Sequence, residues 1–297
     1  MASVPINEIQ LPAPGAFDSH THMDMTDLPV ESLLDAARAA GIARVVNVGC
    51  DLPSSRWSAE TADAYPEVYA AVAIHPNDLT APFQEAGPLE PPESSDAGRA
   101  GIARVYAPDS AEGAGVLGEI ERLAAHPRAV AVGETGLDYY WHDTPPEAQR
   151  EWFRAHIEIA RRLGKSVMIH DRDAHDDVLA ILAEYAPWPP YSVIFHCFSG
   201  DAEMAGKCAE SGYVMSFAGN VTFKNAVPLR EAAAAAPAEL MLAETDAPYL
   251  TPVPHRGKPN SPAMTAYTIR FLAELKGLDL AGFCATLRST GERVFGW

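Results

Sequence analysis

The feature that most constrains this chain is a repeated alternation of short apolar runs, rich in Val, Ile and Ala, with longer stretches of helical period. Eight runs stand in order: GAFDSH, ARVVNVGC, VYAAVAIHP, AVAVGETG, SVMIHD, SVIFHCFSG, YVMSFAGN and LMLAETDAP. Between them lie segments such as VESLLDAARAAG and EAQREWFRAHIEIARRLG, whose apolar residues recur at spacings of three and four before a closing Gly. Such alternation marks βα units on a parallel sheet. Eight units predict a single-domain α/β fold over residues 1–297, a closed (β/α)8 barrel of the TIM-like type. A doubly wound open sheet is the alternative, but no GxGxxG follows the first run.

One segment departs from the alternation. From about 80 to 115 the chain is dense in Pro, Gly, Ser and acidic residues and has no sustained period, which predicts a long loop insertion after the third strand, either a lid or partner-binding flap or an insertion of no catalytic role. Elsewhere the composition, 47% hydrophobic, is that of an ordinary globular protein. No apolar run approaches the roughly 20 residues that span a bilayer. The opening MASVPINEIQLPAPG has neither a basic nor an apolar signal region, so the expectation is a cytoplasmic chain with no membrane partner and no obligate protein partner. Cys50, Cys197, Cys208 and Cys284 are scattered without CxxC spacing, which suggests neither a disulfide framework nor a thiolate zinc site.

Function is carried by where polar residues fall within the runs. Most runs begin apolar and end on a chemical group: His20 and His22, His75, Glu134, His170, His196, Asn220, then Glu244 and Asp246. In a barrel these strand ends meet at one mouth. His20 and His22, two positions apart, point to the same side of an extended chain. Taken alone, HxH describes a hydrogen-bonded pair as well as it describes two ligands. Adding Glu134, His170, His196 and Asp246 gives a set of imidazole nitrogens and carboxylate oxygens suited to a divalent ion such as Mg, Mn or Zn. Six donors exceed what one catalytic ion with an open position needs, so two ions sharing Glu134 and a hydroxide are the economical reading. His75 and Glu244 are read as groups that orient ligands or substrate. His126, His142, His156 and His175 receive no role.

The series FDSHTHMD, AIHPND, AVGETGLDYYW, VMIHDRDAHDD, VIFHCFSG and LAETDAPYLTPVPHRGKPNSP resembles the TatD family of metal-dependent deoxyribonucleases, within the amidohydrolase-like barrel enzymes. The resemblance runs in order over nearly the whole chain. It implies two divalent cations held at His20, His22, Glu134, His170, His196 and Asp246, and hydrolysis of DNA phosphodiesters, often as a 3′ to 5′ exonuclease on single strands. Two features depart from the family pattern: the long insertion, and Pro259, Asn260, Ser261 and Pro262 where an Arg-Asn-Glu-Pro run is usual.

A mechanism follows as an expectation: the cations lower the pKa of a bridging water and Asp246 takes its proton as general base, giving the attacking hydroxide, with Glu134 as the shared carboxylate. Arg172 and the cluster His255, Arg256 and Lys258 are candidates for gripping phosphates, with Lys224 assisting. Tyr139, Tyr140 and Trp141 are candidates for stacking on an unpaired base. The net charge of -18 runs against a DNA substrate, although binding depends on the field in one cleft rather than on the whole surface. The alternatives are an amidohydrolase or lactonase, or an ester hydrolase acting on a small molecule or an aminoacyl-tRNA, and a barrel that has kept binding and lost catalysis. Against the first stands Glu134, where many such enzymes carry a carboxylated lysine.

Overall fold

Strands covered by helices on their outer side and by each other within are buried on both faces and need no polar alternation. In the computed structural model, which describes residues 9–13, 15–79, 107–142 and 144–297, every one of the eight apolar runs contains a strand. These are β1 (Ala16–Thr21), β2 (Ile42–Gly49), β3 (Val68–Val72), β4 (Ala129–Asp138), β5 (Ser166–Arg172), β6 (Val193–Phe195), β7 (Val214–Phe217) and β8 (Met241–Ala243). They lie side by side in chain order, each pair parallel. Every residue of β1, β4 and β7 is buried.

A parallel bridge between Thr21 and Ala247 brings the chain after β8 against the end of β1 and curls the sheet into a barrel. The seam is reinforced by the Ser19 hydroxyl, 2.8 Å from the Ser216 hydroxyl and 3.1 Å from the carbonyl of Ala243. The open-sheet alternative is thereby set aside.

The helices are α1 (Val30–Ala39), α2 (Leu52–Ala64), α3 (Ala111–Ala124), α4 (Pro146–Leu163), α5 (His175–Glu184), α6 (Ala202–Glu210), α7 (Val227–Ala235), α8 (Thr265–Leu275) and α9 (Leu280–Phe295). In α4 the buried residues Trp152, Phe153, His156, Ile157, Ile159 and Ala160 form one stripe, and Gly164 ends the helix at φ 63°, where a left-handed residue frees the chain to turn. In α2 the Asp51 carboxylate accepts from the Ser54 amide, capping the first turn. Among the described residues no helix is long and apolar enough to cross a membrane.

The irregular insertion read from about 80 to 115 falls, over 80–106, outside the described residues. Its last part is helical rather than loop. The Ser110 hydroxyl accepts from the Gly113 amide, α3 starts at Ala111, and Val116, Ile120 and Leu123 bury at helical spacing, a period that two early glycines conceal in the sequence.

At the end of the barrel opposite the strand C-termini, Trp297 lies 5.2 Å edge-on from Phe17 and 4.7 Å from Phe295 (ring centroids), with Tyr69 at 4.6 Å. Gly291 of α9 crosses this cluster. A Cβ there would lie 2.5 Å from Phe17 Cζ, so the usual gain from Gly to Ala inside a helix reverses. Gly291→Ala is expected to lower stability by roughly 1–3 kcal/mol in a denaturant titration. An unchanged or raised midpoint would show that Phe17 yields freely.

Candidate metal centre

At the mouth of the barrel the strand ends converge on the carboxylate of Glu134. His20 lies within β1 and His22 one residue past it; His170 is in β5, and His196 directly follows β6. Glu244 follows β8 and Asp246 comes two residues later. Glu134 is not at a strand end, because β4 continues to Asp138, with a register shift against β5 between Val132 and Thr135. Gly136 makes that path possible: it sits at φ 141°, and a Cβ there would run into the carbonyl of His170.

The two carboxylate oxygens of Glu134 face different histidines. Oε1 lies 3.4 Å from His22 Nε2 and 3.7 Å from His20 Nε2. Oε2 lies 2.6 Å from His196 Nε2 and 3.2 Å from His170 Nδ1. Asp246 Oδ1 completes the first group at 3.6 Å from His22 Nε2 and 3.8 Å from His20 Nε2. Within each pair the imidazole nitrogens nearly touch, at 3.0 Å for His20 and His22 and 3.3 Å for His170 and His196. The six donors expected from the sequence are therefore brought together.

Behind the rings, acceptors fix which nitrogen carries hydrogen. His22 Nδ1 is 2.9 Å from the carbonyl of Val48, which can only accept, so its Nε2 turns a lone pair inward. His170 Nε2 is 3.0 Å from Asp138 Oδ2, leaving Nδ1 inward. His196 Nδ1 lies 3.4 Å from Glu244 Oε1, and the same oxygen accepts from the amide of Cys197 at 2.7 Å. His75 differs: its Nδ1 accepts from the Asn77 amide at 3.1 Å, so in the neutral ring the nitrogen 3.9 Å from Glu134 Oε2 is a donor, not a lone pair. Burial, and after it the nearby His170, lowers the His75 pKa to about 3.

Electrostatics agree with a centre that draws positive charge. Burial opposes protonation of His196, yet the Glu134 and Glu244 carboxylates push its pKa up to about 10. Burial works against ionisation of Glu134 too, but His196 and His75, with hydrogen bonds from His170 and His196, hold it well below the ordinary range. Buried polar atoms without a hydrogen-bond partner gather around the same mouth, among them His196 Nδ1, Glu244 Oε2, Asn77 Oδ1, Asp171 Oδ1 and Asn220 Oδ1. Three overlapping groups bring their donor atoms within 4.8 Å of one another, His20 with His22 and Glu134, His20 with His196 and Asp246, and His75 with Glu134 and His170, the last with the His75 N–H turned inward. Imidazoles with inward lone pairs around a carboxylate fit divalent cations, and two clusters share Glu134.

Asp246 sits at φ 51°, and the loop carrying it is tied on both sides. Its amide donates to the His20 carbonyl at 3.0 Å, and Asp18 accepts from the Thr245 amide at 2.9 Å and its hydroxyl at 2.5 Å. Asn260, the one polar residue of the altered family run that remains Asn, is buried and donates to the carbonyls of Thr245 and Tyr249. The sequence reading missed Asp18, Asp138 and Asn260. Only the four-residue spacing from Glu134 to Asp138 could have hinted at one of them.

The mouth opens into a cavity of about 700 Å³ whose wall includes Arg172, Trp141, Met25 and Tyr249. The Arg172 guanidinium lies 3.8 Å from the Tyr140 ring centre. Tyr139 turns away, its hydroxyl 2.6 Å from Asp177 Oδ2. His255, Arg256, Lys258 and Lys224 do not line this cavity: His255 is engaged with the Tyr267 hydroxyl at 2.8 Å, and Arg256 lies over Phe223 at 4.3 Å.

Comparison with known proteins agrees with this geometry. A family model described as TatD related DNase matches residues 17–296. The uncharacterized metal-dependent hydrolase TatD of Mycobacterium tuberculosis H37Rv is 43% identical over 288 residues, covering 94% of this chain and 97% of its own. The metal-dependent hydrolase YcfH of Escherichia coli K12 is 35% identical over 283 residues, 94% of each chain. Among solved structures, the TatD homolog YjjV of Escherichia coli K12 superposes with a TM-score of 0.78 at 24% identity, covering 95% of this chain and 98% of that one, which shows a shared fold.

One histidine without a sequence-assigned role supports the centre from behind. His156 Nδ1 is 2.9 Å from the Thr135 hydroxyl, and its Nε2 accepts from the Ile74 amide at 3.3 Å, joining the neighbours of Glu134 and His75. That arrangement requires a neutral ring, and burial lowers its pKa from 6.5 to about 4. Because the folded value lies below the unfolded one, this contribution is complete above pH 6.5 and is lost as pH falls toward 4, about 3 kcal/mol in all. Denaturant midpoints at pH 7 and 4.5 should fall less for His156→Gln than for the native chain; equal falls would refute the assignment.

Proposed function

The chain belongs to the family of TatD-related DNases, and from that premise we propose that it cleaves DNA phosphodiesters as a 3′ to 5′ exonuclease favouring single strands, acting in the cytoplasm without an obligate protein partner. It is a metal-dependent hydrolase. The observation that carries the finer reading is the division of Glu134 between two histidine pairs. His20, His22, Glu134 and Asp246 would hold one cation; Glu134, His170 and His196 would hold the other. When bound, two divalent cations supply Lewis acidity, acidifying water and offsetting the charge of the phosphate.

The chain's own groups supply the rest. Asp246 directs Oδ1 toward His20 and His22, which leaves Oδ2 to take the proton of the attacking water as general base. The nearby imidazoles of His22 and His20 hold that carboxyl below its ordinary pKa against the effect of burial, so it is ionised and ready near neutrality. Arg172, paired with no carboxylate among the described residues, offers a guanidinium fork to phosphate oxygens. His75 donates from Nε2 toward the same space. Asp138 keeps the inward lone pair of His170 in place, and the Glu244 carboxylate stands 3.4 Å behind His196 Nδ1.

Glu134→Ala and Asp246→Asn should each lower cleavage of labelled single-stranded DNA by on the order of 10³-fold or more, with thermal melts close to the native chain. Chelation should abolish cleavage and added Mg, Mn or Zn restore it. Undiminished cleavage by either variant, or in chelator, would remove the proposal. Turnover of lactones or esters without any DNA product would instead favour the small-molecule hydrolase.

A further inference from the structure

Exposed apolar side chains are informative where they cluster, and four of them, Met25, Tyr140, Trp141 and Tyr249, stand 42 to 56% exposed around the catalytic mouth. They come from three loops, after β1, β4 and β8, and Trp141, Met25 and Tyr249 line the cavity itself. On one side Tyr140 and Trp141 meet edge to face at 4.9 Å, and the Arg172 guanidinium covers Tyr140 at 3.8 Å and lies 5.7 Å from the Trp141 ring centre. On the other, the Tyr249 hydroxyl lies 3.8 Å from Met25 Sδ.

The first wall is built rather than incidental. The amides of Tyr140 and Trp141 both donate to Asp138 Oδ1, at 3.0 and 3.1 Å, while Asp138 Oδ2 faces His170 Nε2 at 3.0 Å and accepts from Asn77 at 3.1 Å. Gln149 secures the same turn, accepting from the Asp138 amide at 2.7 Å and donating to the carbonyls of Asp138 and Thr144. The ring pair is therefore held in fixed register with a side chain of the metal centre while remaining in contact with solvent.

We propose that Tyr140 and Trp141, with Arg172 between them and the scissile phosphate, form a stacking subsite for the unpaired base of the nucleotide at the cleaved end. This rests on the nuclease reading above and assigns its specificity. An aromatic face beside a guanidinium that has no carboxylate partner among the described residues suits an alternating planar base and anionic phosphate, and stacking tolerates any base because each has a π face. A base must leave its partner strand to lie against a ring, so the subsite favours frayed or single-stranded ends. The cavity, about 700 Å³, is within the size range of small-ligand sites.

The test uses the full chain and two readouts. In chelator, an oligonucleotide ending in 2-aminopurine should lose fluorescence on binding the native protein and Trp141→Phe, and much less on binding Trp141→Ala. With metal, the native protein should prefer a normal 3′-terminal nucleotide over an abasic one by roughly ten-fold in kcat/KM, through KM, and the preference should collapse toward one in Trp141→Ala. Equal quenching by native and Trp141→Ala proteins, or equal cleavage of normal and abasic ends by the native protein, would overturn the subsite while leaving the nuclease intact. Absence of DNA cleavage by the native protein with metal would overturn the nuclease reading itself. Loss of lactone or ester turnover in Trp141→Ala would assign the wall to an apolar small molecule instead.

Discussion

A single carboxylate faced by four inward imidazole nitrogens is the constraint on which the rest of this structure depends. Four lone pairs and the two oxygens of Glu134 cannot share a dry pocket without positive charge to bind them together, and each ring must be prevented from turning its N–H inward. The barrel meets the second demand with an acceptor bonded behind the ring in two cases, the carbonyl of Val48 and the carboxylate of Asp138, and sets the carboxylate of Glu244 3.4 Å behind His196 in a third. Parallel strands deliver these acceptors at little cost, because the ends of neighbouring strands lie side by side and point the same way.

The acidity of the chain takes on another meaning in this setting. A net charge of -18 spread over the surface would repel a polyanion, yet the carboxylates at the mouth are the groups that draw cations inward. The guanidinium of Arg172 is left without a carboxylate among the described residues, whereas Arg150, Arg154 and Arg162 on α4 are tied to acidic partners. Those three charges on α4 are neutralised locally, whereas that of Arg172 stands at the wall of the cavity.

Much of this was legible in the sequence, and for an identifiable reason. Strands buried on both faces announce themselves as uninterrupted Val, Ile and Ala, so all eight were found. Their chemical ends could be read because a polar side chain that closes a doubly buried run must meet an ion, a hydrogen-bonding partner or the open mouth of the barrel. Boundaries were less readable: Glu134 lies inside its strand because backbone pairing continues through Thr135 and Asp138, and composition does not report pairing. The groups behind the rings were invisible, since Asp138 and Asn260 look like ordinary turn residues until their partners are known. Cations near the last strand misled in the opposite way. His255 and Arg256 are close to Asp246 in sequence, but the intervening turns carry them to Tyr267 and Phe223.

Barrels of this kind diversify by exchanging the loops at one rim while the strands persist. Asp138 limits that freedom here, because one of its oxygens anchors the amides of the outward-facing loop while the other faces a ring of the buried centre. A graft that replaced the β4 loop to alter which molecules are accepted would also release His170. Evolution or design working on this rim must therefore carry the aspartate along, or change recognition and ion retention together.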